Sequence, residues 1–234
     1  MASDKVAILT AAGSGIGKAC AQAVADAGYT VVLQSKSGRA IDVAEGLGGI
    51  GLKGSVTEIA DLEVLVESAV DEFGRLDAVV NNTGHPPKGE LLELNDDDWF
   101  DAMNLVLMNV IRMSRLATPI MIEQGGGSFV NISTFSAFEP SSRFPTSSVL
   151  RAGLGSYTKL FANEFAAEGI RMNSVLPGYT DSYEIDDETR SEIPMHRRAT
   201  TEEIAHVVRF LLSNEASYLT GQNIPVDGGL TRSV

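Results

Sequence analysis

The sequence predicts an α/β protein with a parallel sheet that is covered by helices on both faces. Short apolar runs of strand length alternate along the chain with longer segments of helical periodicity. The runs, such as KVAILTA at 5–11, are apolar almost throughout, which is typical of strands buried on both faces. The 234 residues contain no internal repeat or linker, so we expect one domain over 1–234.

Each element follows from its local pattern. Strands are predicted at 5–11, 29–34, 50–56, 76–82 and 128–133, with further extended segments at 170–178 and 222–229. Helices are predicted at 15–28, 38–46, 58–74, 95–127, 146–168 and 200–213. Pro119 is expected to bend or restart the fourth helix. Thr200 and Glu203 form the expected capping box of the last helix.

Composition excludes several classes of protein. A net charge of −13 argues against nucleic acid or an anionic membrane as the main partner. The single cysteine, Cys20, cannot form an internal disulfide and is expected to be a small buried side chain, and no metal site is expected. No signal-peptide pattern occurs, and the helix at 95–127 contains polar residues such as Arg112 and Arg115. We therefore expect a soluble cytoplasmic protein.

A glycine-rich turn lies between the first strand and the first helix. In LTAAGSGIG (9–17), glycines allow the backbone to approach a pyrophosphate, and the helix N-terminus adds amide donors and positive potential. The position between a strand and a helix is the one that a dinucleotide site requires. A tight turn without a ligand is the alternative.

Five motifs follow one another in an order that resembles the short-chain dehydrogenase/reductase family. They are TAAGSGIG, NNTG (81–84), VNIST (130–134), GIRMNSVLPG (169–178) and YLTGQNIPVDGG (218–229). The resemblance covers nearly the whole chain. It implies a Rossmann-type doubly wound parallel sheet of about seven strands, a nicotinamide dinucleotide cofactor, a small-molecule substrate and a homo-oligomer, either a dimer or a tetramer.

The resemblance also assigns cofactor-binding residues. In the family's glycine pattern, Ala11 replaces the first glycine, which is a mild change where the local φ is negative. Ser35 replaces the acid that binds the ribose of NAD, and Lys36 follows it, so NADP is favoured; NAD is the alternative if Lys36 is an ordinary surface lysine. The full predicted set is Thr10, Gly13, Ser14, Gly15, Ile16, Gly17, Ser35, Lys36, Ser55, Val56, Asn82, Thr83, Gly84, Arg151, Pro177 and Gly178.

The catalytic positions implied by the resemblance are altered. The family's serine falls on Thr134, its tyrosine on Ser147, its lysine on Arg151 and its asparagine on Val106. Thr134 keeps a hydroxyl and Arg151 keeps a positive charge. An alcohol is a poor proton donor at neutral pH, so Ser147 does not replace a phenol.

Other groups are considered as the proton donor. His85 follows NNTG, and Tyr179 lies where the family forms one wall of the substrate pocket; a surface histidine is the alternative for His85. Glu139 and Arg143 either line the entrance or are solvated. Tyr157 and Lys159 have the wrong spacing for the catalytic pair and are expected in packing or a subunit contact.

Three functions remain open at this point. The first is an NAD(P)-dependent oxidoreductase with Thr134, Ser147 and Arg151 as its catalytic set, suited to activated or conjugated substrates. The second is a dinucleotide-binding sensor or partner subunit without redox turnover. The third is a non-redox enzyme on the same fold. The short segment at 178–199 is expected to cover an open substrate pocket.

Overall fold

The computed structural model describes residues 5–233, and its seven strands form one parallel sheet. The sheet order is β3-β2-β1-β4-β5-β6-β7, with every neighbouring pair parallel. The strands are β1 (Lys5–Leu9), β2 (Tyr29–Ser35), β3 (Ile50–Lys53), β4 (Ala78–Asn81), β5 (Gly127–Ile132), β6 (Ile170–Pro177) and β7 (Asn223–Val226). The predicted Rossmann-type fold is confirmed.

Helices cover both faces of this sheet. They are α1 (Gly15–Asp26), α2 (Ala40–Gly46), α3 (Ile59–Phe73), α4 (Asp96–Met103), α5 (Asn109–Glu123), α6 (Pro145–Phe165), α7 (Asp187–Glu192) and α8 (Thr201–Leu212). One apolar core joins the sheet to α1, α2 and α8, and a second joins it to α3, α5 and α6. Short 3₁₀ turns lie at Phe135–Ala137, Ala166–Glu168 and Asn214–Ala216.

Residue alternation in the strands produces the two cores. In β1, Ala7 and Leu9 belong to the first core, whereas Val6 and Ile8 belong to the second. Each buried Val, Leu or Ile contributes about 1.5–3 kcal/mol relative to an exposed position. Cys20 is buried in the first core, as predicted, and burial raises the pKa of its thiol to about 12.

The strand order reverses at β1. This strand pairs with β2 on one side and β4 on the other, so the helices that follow β1 and β4 pack on opposite faces. In open parallel sheets, such a reversal leaves a crevice at the carboxyl ends of the strands, where ligands bind. The loops that carry the predicted site residues begin at these ends.

A continuous helical stretch runs from Asp96 to Glu123. By length and composition it could cross a membrane, because its most apolar 18 residues have a mean hydropathy of 1.4. Buried core helices also meet these criteria, and 44% of those 18 residues are buried in the protein. In α5, Met113, Ala117 and Met121 pack in the second core.

An irregular turn lies before Pro119 in this stretch. The helix does not restart at Pro119, which lies inside α5, and the irregular turn is a π-helical turn at Asn104–Met108. There, the Asn109 side-chain amide donates to the carbonyl of Leu105, one of the local side-chain bonds that compete with the helical ladder. The capping box of α8 is confirmed, with reciprocal hydrogen bonds between Thr200 and Glu203 at 3.2 and 2.8 Å.

Ala11 adopts a left-handed backbone conformation. Its φ is +47°, so the condition under which the Gly-to-Ala change would be mild is not met. A Cβ in this region approaches the following carbonyl oxygen, which costs about 1–2 kcal/mol for an L-residue. The turn after β1 therefore keeps the geometry of a glycine position while containing an alanine.

We expect Ala11→Gly to stabilise the protein. Relief of the strain should exceed the added entropy of the unfolded chain and raise the free energy of unfolding by about 0.5–1 kcal/mol. Urea denaturation measures the change. Ala12→Gly is the control, because Ala12 is fully buried and has no positive φ, so its replacement should be destabilising. An Ala11→Gly variant that is destabilised to the same extent as this control would contradict the account.

Candidate active site

Two adjoining cavities follow the carboxyl edge of the sheet. The wide cavity, of about 460 Å³, is lined by the loops after β1, β4, β5 and β6 and by the start of α6. The narrow cavity, of about 280 Å³, is lined by the loops after β1, β2 and β3. Ala11, Ser14, Thr83 and Gly84 line both cavities, so the two form one elongated cleft.

The cleft is held together at its middle by Thr10 and Asn82. The hydroxyl of Thr10 donates to the carbonyl of Asn82 at 2.7 Å and accepts from its amide at 2.9 Å. The Asn82 side chain donates to the carbonyl of Ala11 at 3.2 Å. These bonds join the loops after β1 and β4, the two strands at which the sheet order reverses. Thr10 therefore supports the cleft from below, and Asn82 also lines it.

Two glycines allow close packing around the loop after β1. A Cβ at Gly17 would lie 2.3 Å from the carbonyl oxygen of Ala11, so only glycine fits where α1 meets the loop. A Cβ at Gly13 would lie 3.0 Å from the hydroxyl of Ser35. Ser14 precedes α1 in an extended conformation, and its side chain makes no capping bond. The first-turn amides of α1 are thus available to an anion in the cleft.

The narrow cavity is cationic. Lys36 and Arg39 line it, and both are exposed, whereas no Asp or Glu within the described range 5–233 lines it. Ser35 lies at its base, where the hydroxyl accepts from the amide of Ala40 at 2.9 Å. Arg39 is not among the residues predicted from the sequence, although it is a second cation three residues after Lys36, in the same turn.

Ser55, Val56 and Thr83, which are also predicted cofactor-binding residues, line the narrow cavity. The Ser55 amide donates to Asp61 at 2.7 Å, its hydroxyl pairs with that of Thr57 at 2.8 Å, and Val56 follows it in the wall. The hydroxyl of Thr83, at the junction of the two cavities, is buried without a hydrogen-bond partner within residues 5–233. A buried hydroxyl in this state is costly unless a ligand supplies its partner.

Thr134, Ser147 and Arg151 come together in the wall of the wide cavity. Ser147 and Arg151 lie one turn apart on α6, and the Nε of Arg151 donates to the Ser147 hydroxyl at 3.2 Å. A second guanidinium nitrogen, Nη1, donates to the carbonyl of Ile132 at the end of β5. The side chain of Arg151 therefore reaches the hydroxyl of Ser147, and the two residues form one hydrogen-bonded unit.

Arg151 is a buried cation. Its exposed fraction is 7%, and burial lowers the pKa of its guanidinium to about 10, so it stays protonated at neutral pH. In the part of the chain that the structure describes, no carboxylate forms an ion pair with it. No Asp or Glu of the described residues lines the wide cavity either.

A chain of buried polar side chains fixes α6 against the sheet. The Asn81 amide donates to Asn131 at 2.8 Å, and the Asn131 amide donates to Thr158 on α6 at 3.2 Å. Thr158 also pairs with Ser174 on β6 at 2.9 Å. Each such bond contributes about 1 kcal/mol and leaves a costly unsatisfied group if broken. The helix that carries Ser147 and Arg151 is thus held to β4, β5 and β6.

The two proposed proton donors are placed differently. His85 lines the wide cavity, and its ring meets that of Tyr183 edge to face at 6.1 Å. Burial, followed by the charges of Lys88 and Arg151, lowers the pKa of His85. Tyr179 is buried outside the cavity wall, where its hydroxyl accepts from Arg143 at 3.4 Å. The structure therefore does not bring the Tyr179 phenol to the cleft.

Tyr183, which is not among the residues predicted from the sequence, lines the wide cavity in place of Tyr179. Burial, followed by the proximity of Tyr179, raises the pKa of its phenol to about 12. Its position in the segment after Gly178 was the available signal, but that segment contains two tyrosines four residues apart. Pro177 and Gly178 also line the wide cavity, at the end of β6.

The other residues considered from the sequence lie outside both cavities. Val106 is buried in the π-helical turn. Asn104 bonds Arg112 and the carbonyl of Thr57, so neither Asn104 nor Asn109 lines the cleft. Glu139 accepts hydrogen bonds from the amides of Arg232 and Ser233, and Arg143 donates to Tyr179 and Thr189. Tyr157 packs against the second core, and Lys159 lies beside Gly221.

The fold is a Rossmann-type α/β fold, and the cleft lies at the strand reversal, which is where ligands bind in proteins of this architecture. The family model described as enoyl-(acyl carrier protein) reductase matches residues 10–231. Relatives named 3-oxoacyl-[acyl-carrier-protein] reductase FabG are 35% identical in Thermotoga maritima, 33% in Vibrio harveyi and 32% in Escherichia coli K12, each over 97% of both chains. The chain belongs to the short-chain dehydrogenase/reductase family of oxidoreductases.

Proposed function

We propose that the protein is an NADP-dependent oxidoreductase that transfers hydride between the cofactor and a small organic substrate. The observation that carries the cofactor choice is the pair Lys36 and Arg39 in a cavity without a carboxylate. Cations bind the 2′-phosphate of NADP, whereas the ribose hydroxyls of NAD are commonly bound by an acid at this place.

The residues present fit a dinucleotide. Gly17 leaves no room for a Cβ where α1 meets the loop after β1, so the backbone there can approach a pyrophosphate closely. At the middle of the cleft, the Thr83 hydroxyl has no hydrogen-bond partner within residues 5–233. The first-turn amides of α1 would hold the pyrophosphate, Lys36 and Arg39 the 2′-phosphate, and Arg151 a ribose hydroxyl. When bound, the nicotinamide supplies the hydride donor or acceptor.

The substrate oxygen is held by hydroxyl groups beside a cation. The Ser147 hydroxyl accepts from Arg151, which leaves its own proton free to bond a substrate oxygen. Thr134 adds a second hydroxyl, and the charge of Arg151 stabilises negative charge that develops on that oxygen. The proton then comes from water or His85. A weak proton donor favours activated or conjugated substrates over simple ketones.

The proposal also covers the substrate, the oligomeric state and the cellular location. The relatives are named as reductases of acyl-carrier-protein substrates, which supports a carbonyl or conjugated compound here. Segment 178–199 would cover the substrate, because Thr180, Ser182 and Tyr183 line the wide cavity. The homo-oligomer, the cytoplasmic location and the single domain stay predictions.

A dinucleotide-binding protein without turnover is the second candidate. The observation that favours it is that Tyr183, whose pKa is raised to about 12, is the phenol in the wall of the wide cavity. A phenol so weakly acidic transfers its proton poorly at neutral pH. Binding of NADPH without turnover on a broad panel of carbonyl and conjugated compounds would select this candidate.

We expect Lys36→Ala and Arg39→Ala each to weaken NADPH binding by about tenfold and to leave NADH binding nearly unchanged, because each removes a charged contact to one phosphate. Fluorescence titration of the reduced dinucleotides measures both constants. Arg209→Ala is the control, since Arg209 is an exposed cation on α8 outside both cavities. Equal losses for NADPH and NADH would contradict the assignment.

The double substitution Ser147→Tyr with Arg151→Lys should raise the reduction of simple ketones at least ~10-fold, because it supplies a phenol and removes the guanidinium bonded beside it. NADPH consumption in the presence of a ketone panel measures the gain. Arg151→Lys alone makes the same room without adding a phenol and should give no gain. A double variant that binds NADPH normally and still reduces no ketone would count against the catalytic positions.

The reduction rate should increase as the pH falls below 6.5, the ordinary pKa of histidine. The lowered pKa of His85 means that its imidazole is neutral at pH 7 and becomes a proton donor only in more acidic solution. Initial rates between pH 5.5 and 8 would reveal this rise, at NADPH concentrations that saturate the enzyme at each pH. His85→Gln should flatten the profile, and a variant that keeps the same rise would assign the proton to another group.

A further inference from the structure

We propose that Arg151 binds the carboxylate of a small organic acid in the wide cavity. The inference rests on the proposed function, because this acid would be the substrate of the same site. The protein buries the charge of Arg151 without balancing it. A small acid also differs from the acyl-carrier-protein substrates in the names of the relatives.

The guanidinium of Arg151 is only partly satisfied by the protein. Of its five N–H donors, one bonds the hydroxyl of Ser147 and one the carbonyl of Ile132, so three are left. Both partners are neutral, and within residues 5–233 no carboxylate pairs with the guanidinium. A charged side chain that is 93% buried is costly unless an opposite charge accompanies it.

The surroundings select an anion as the missing partner. The protein has a net charge of −13, yet no acidic residue among residues 5–233 lines the wide cavity. The hydroxyls of a bound ribose would accept hydrogen bonds from Arg151 without balancing its charge. A carboxylate would balance the charge and match the fork of the remaining N–H donors on Nη1 and Nη2.

The walls of the cavity indicate the rest of the acid. Phe135 and Phe144 line the cavity, and the centroids of their rings are 6.4 Å apart. The volume of about 460 Å³ must also hold the nicotinamide end of the cofactor. Because the proposed reaction favours activated or conjugated substrates, the expected ligand is a small acid with an apolar body and a carbonyl or double bond next to its carboxylate.

Calorimetric titration with benzoylformate and its neutral amide, benzoylformamide, tests the site. The titrations use the full chain, both free and saturated with NADP⁺. We expect the acid to bind at least ~10-fold more tightly than the amide, since only the acid balances the charge of Arg151. Equal affinity for the two compounds in both forms of the protein would overturn the proposal.

Variants assign the effect to Arg151. Arg151→Met should reduce the affinity for the acid to that for the amide, whereas the exposed control Arg209→Met should leave both unchanged. Arg151→Lys keeps the charge and loses the fork, so it should weaken acid binding a few-fold. If Arg151→Met does not fold, Arg151→Lys decides, and unchanged acid binding by every folded Arg151 variant would overturn the proposal.

Fluorescence titration with NADPH separates this proposal from the proposed function. A protein that binds NADPH and does not distinguish acid from amide lacks the carboxylate site but keeps the proposed function. A protein that does not bind NADPH loses the proposed function, and the titrations of the free protein still decide whether Arg151 binds a carboxylate.

Discussion

The cleft depends on the hydrogen bonds that join Thr10 to Asn82. β1 and β4 are neighbours in the sheet, but the helices that follow them pack on opposite faces, so their loops diverge and leave a crevice. The Thr10 hydroxyl both donates to and accepts from the Asn82 backbone, and the Asn82 side chain bonds Ala11. These contacts fix the separation of the two loops and so the width of the cleft where its two cavities meet.

The charges along the cleft follow from this geometry. One end places Lys36 and Arg39 at the surface, and the other buries Arg151 beside Ser147. Exposed cations are solvated and act weakly on neutral groups, whereas a buried cation acts strongly on anything that enters its cavity. Under the proposed function, the two ends would select ligands differently: the surface pair would discriminate a phosphate, and the buried arginine would discriminate charge at the reacting position.

Much of the fold could be predicted from the sequence, because apolar periodicity reports directly on burial. The family resemblance placed Thr134, Ser147 and Arg151 at one site, and all three line the wide cavity, because Thr134 follows β5 at the carboxyl edge of the sheet and residues four apart share a helix face. Backbone dihedrals leave weaker marks in a sequence. Neither the positive φ of Ala11 nor the π-helical turn at Asn104–Met108 follows from residue type, and the helix does not restart at Pro119. The choice between Tyr179 and Tyr183 required the path of the chain after β6.

The hydrogen-bonded unit of Ser147 and Arg151 has a consequence for how such a site changes through evolution. A large phenol at 147 would meet the guanidinium that now bonds this position, and a lysine at 151 would present one nitrogen in place of the two that now bond Ser147 and Ile132. Each single exchange is therefore unfavourable in the background of the other residue. The two positions show the structural basis of epistasis, and a lineage that passes between the two pairs must cross an intermediate with an impaired site or change both residues together.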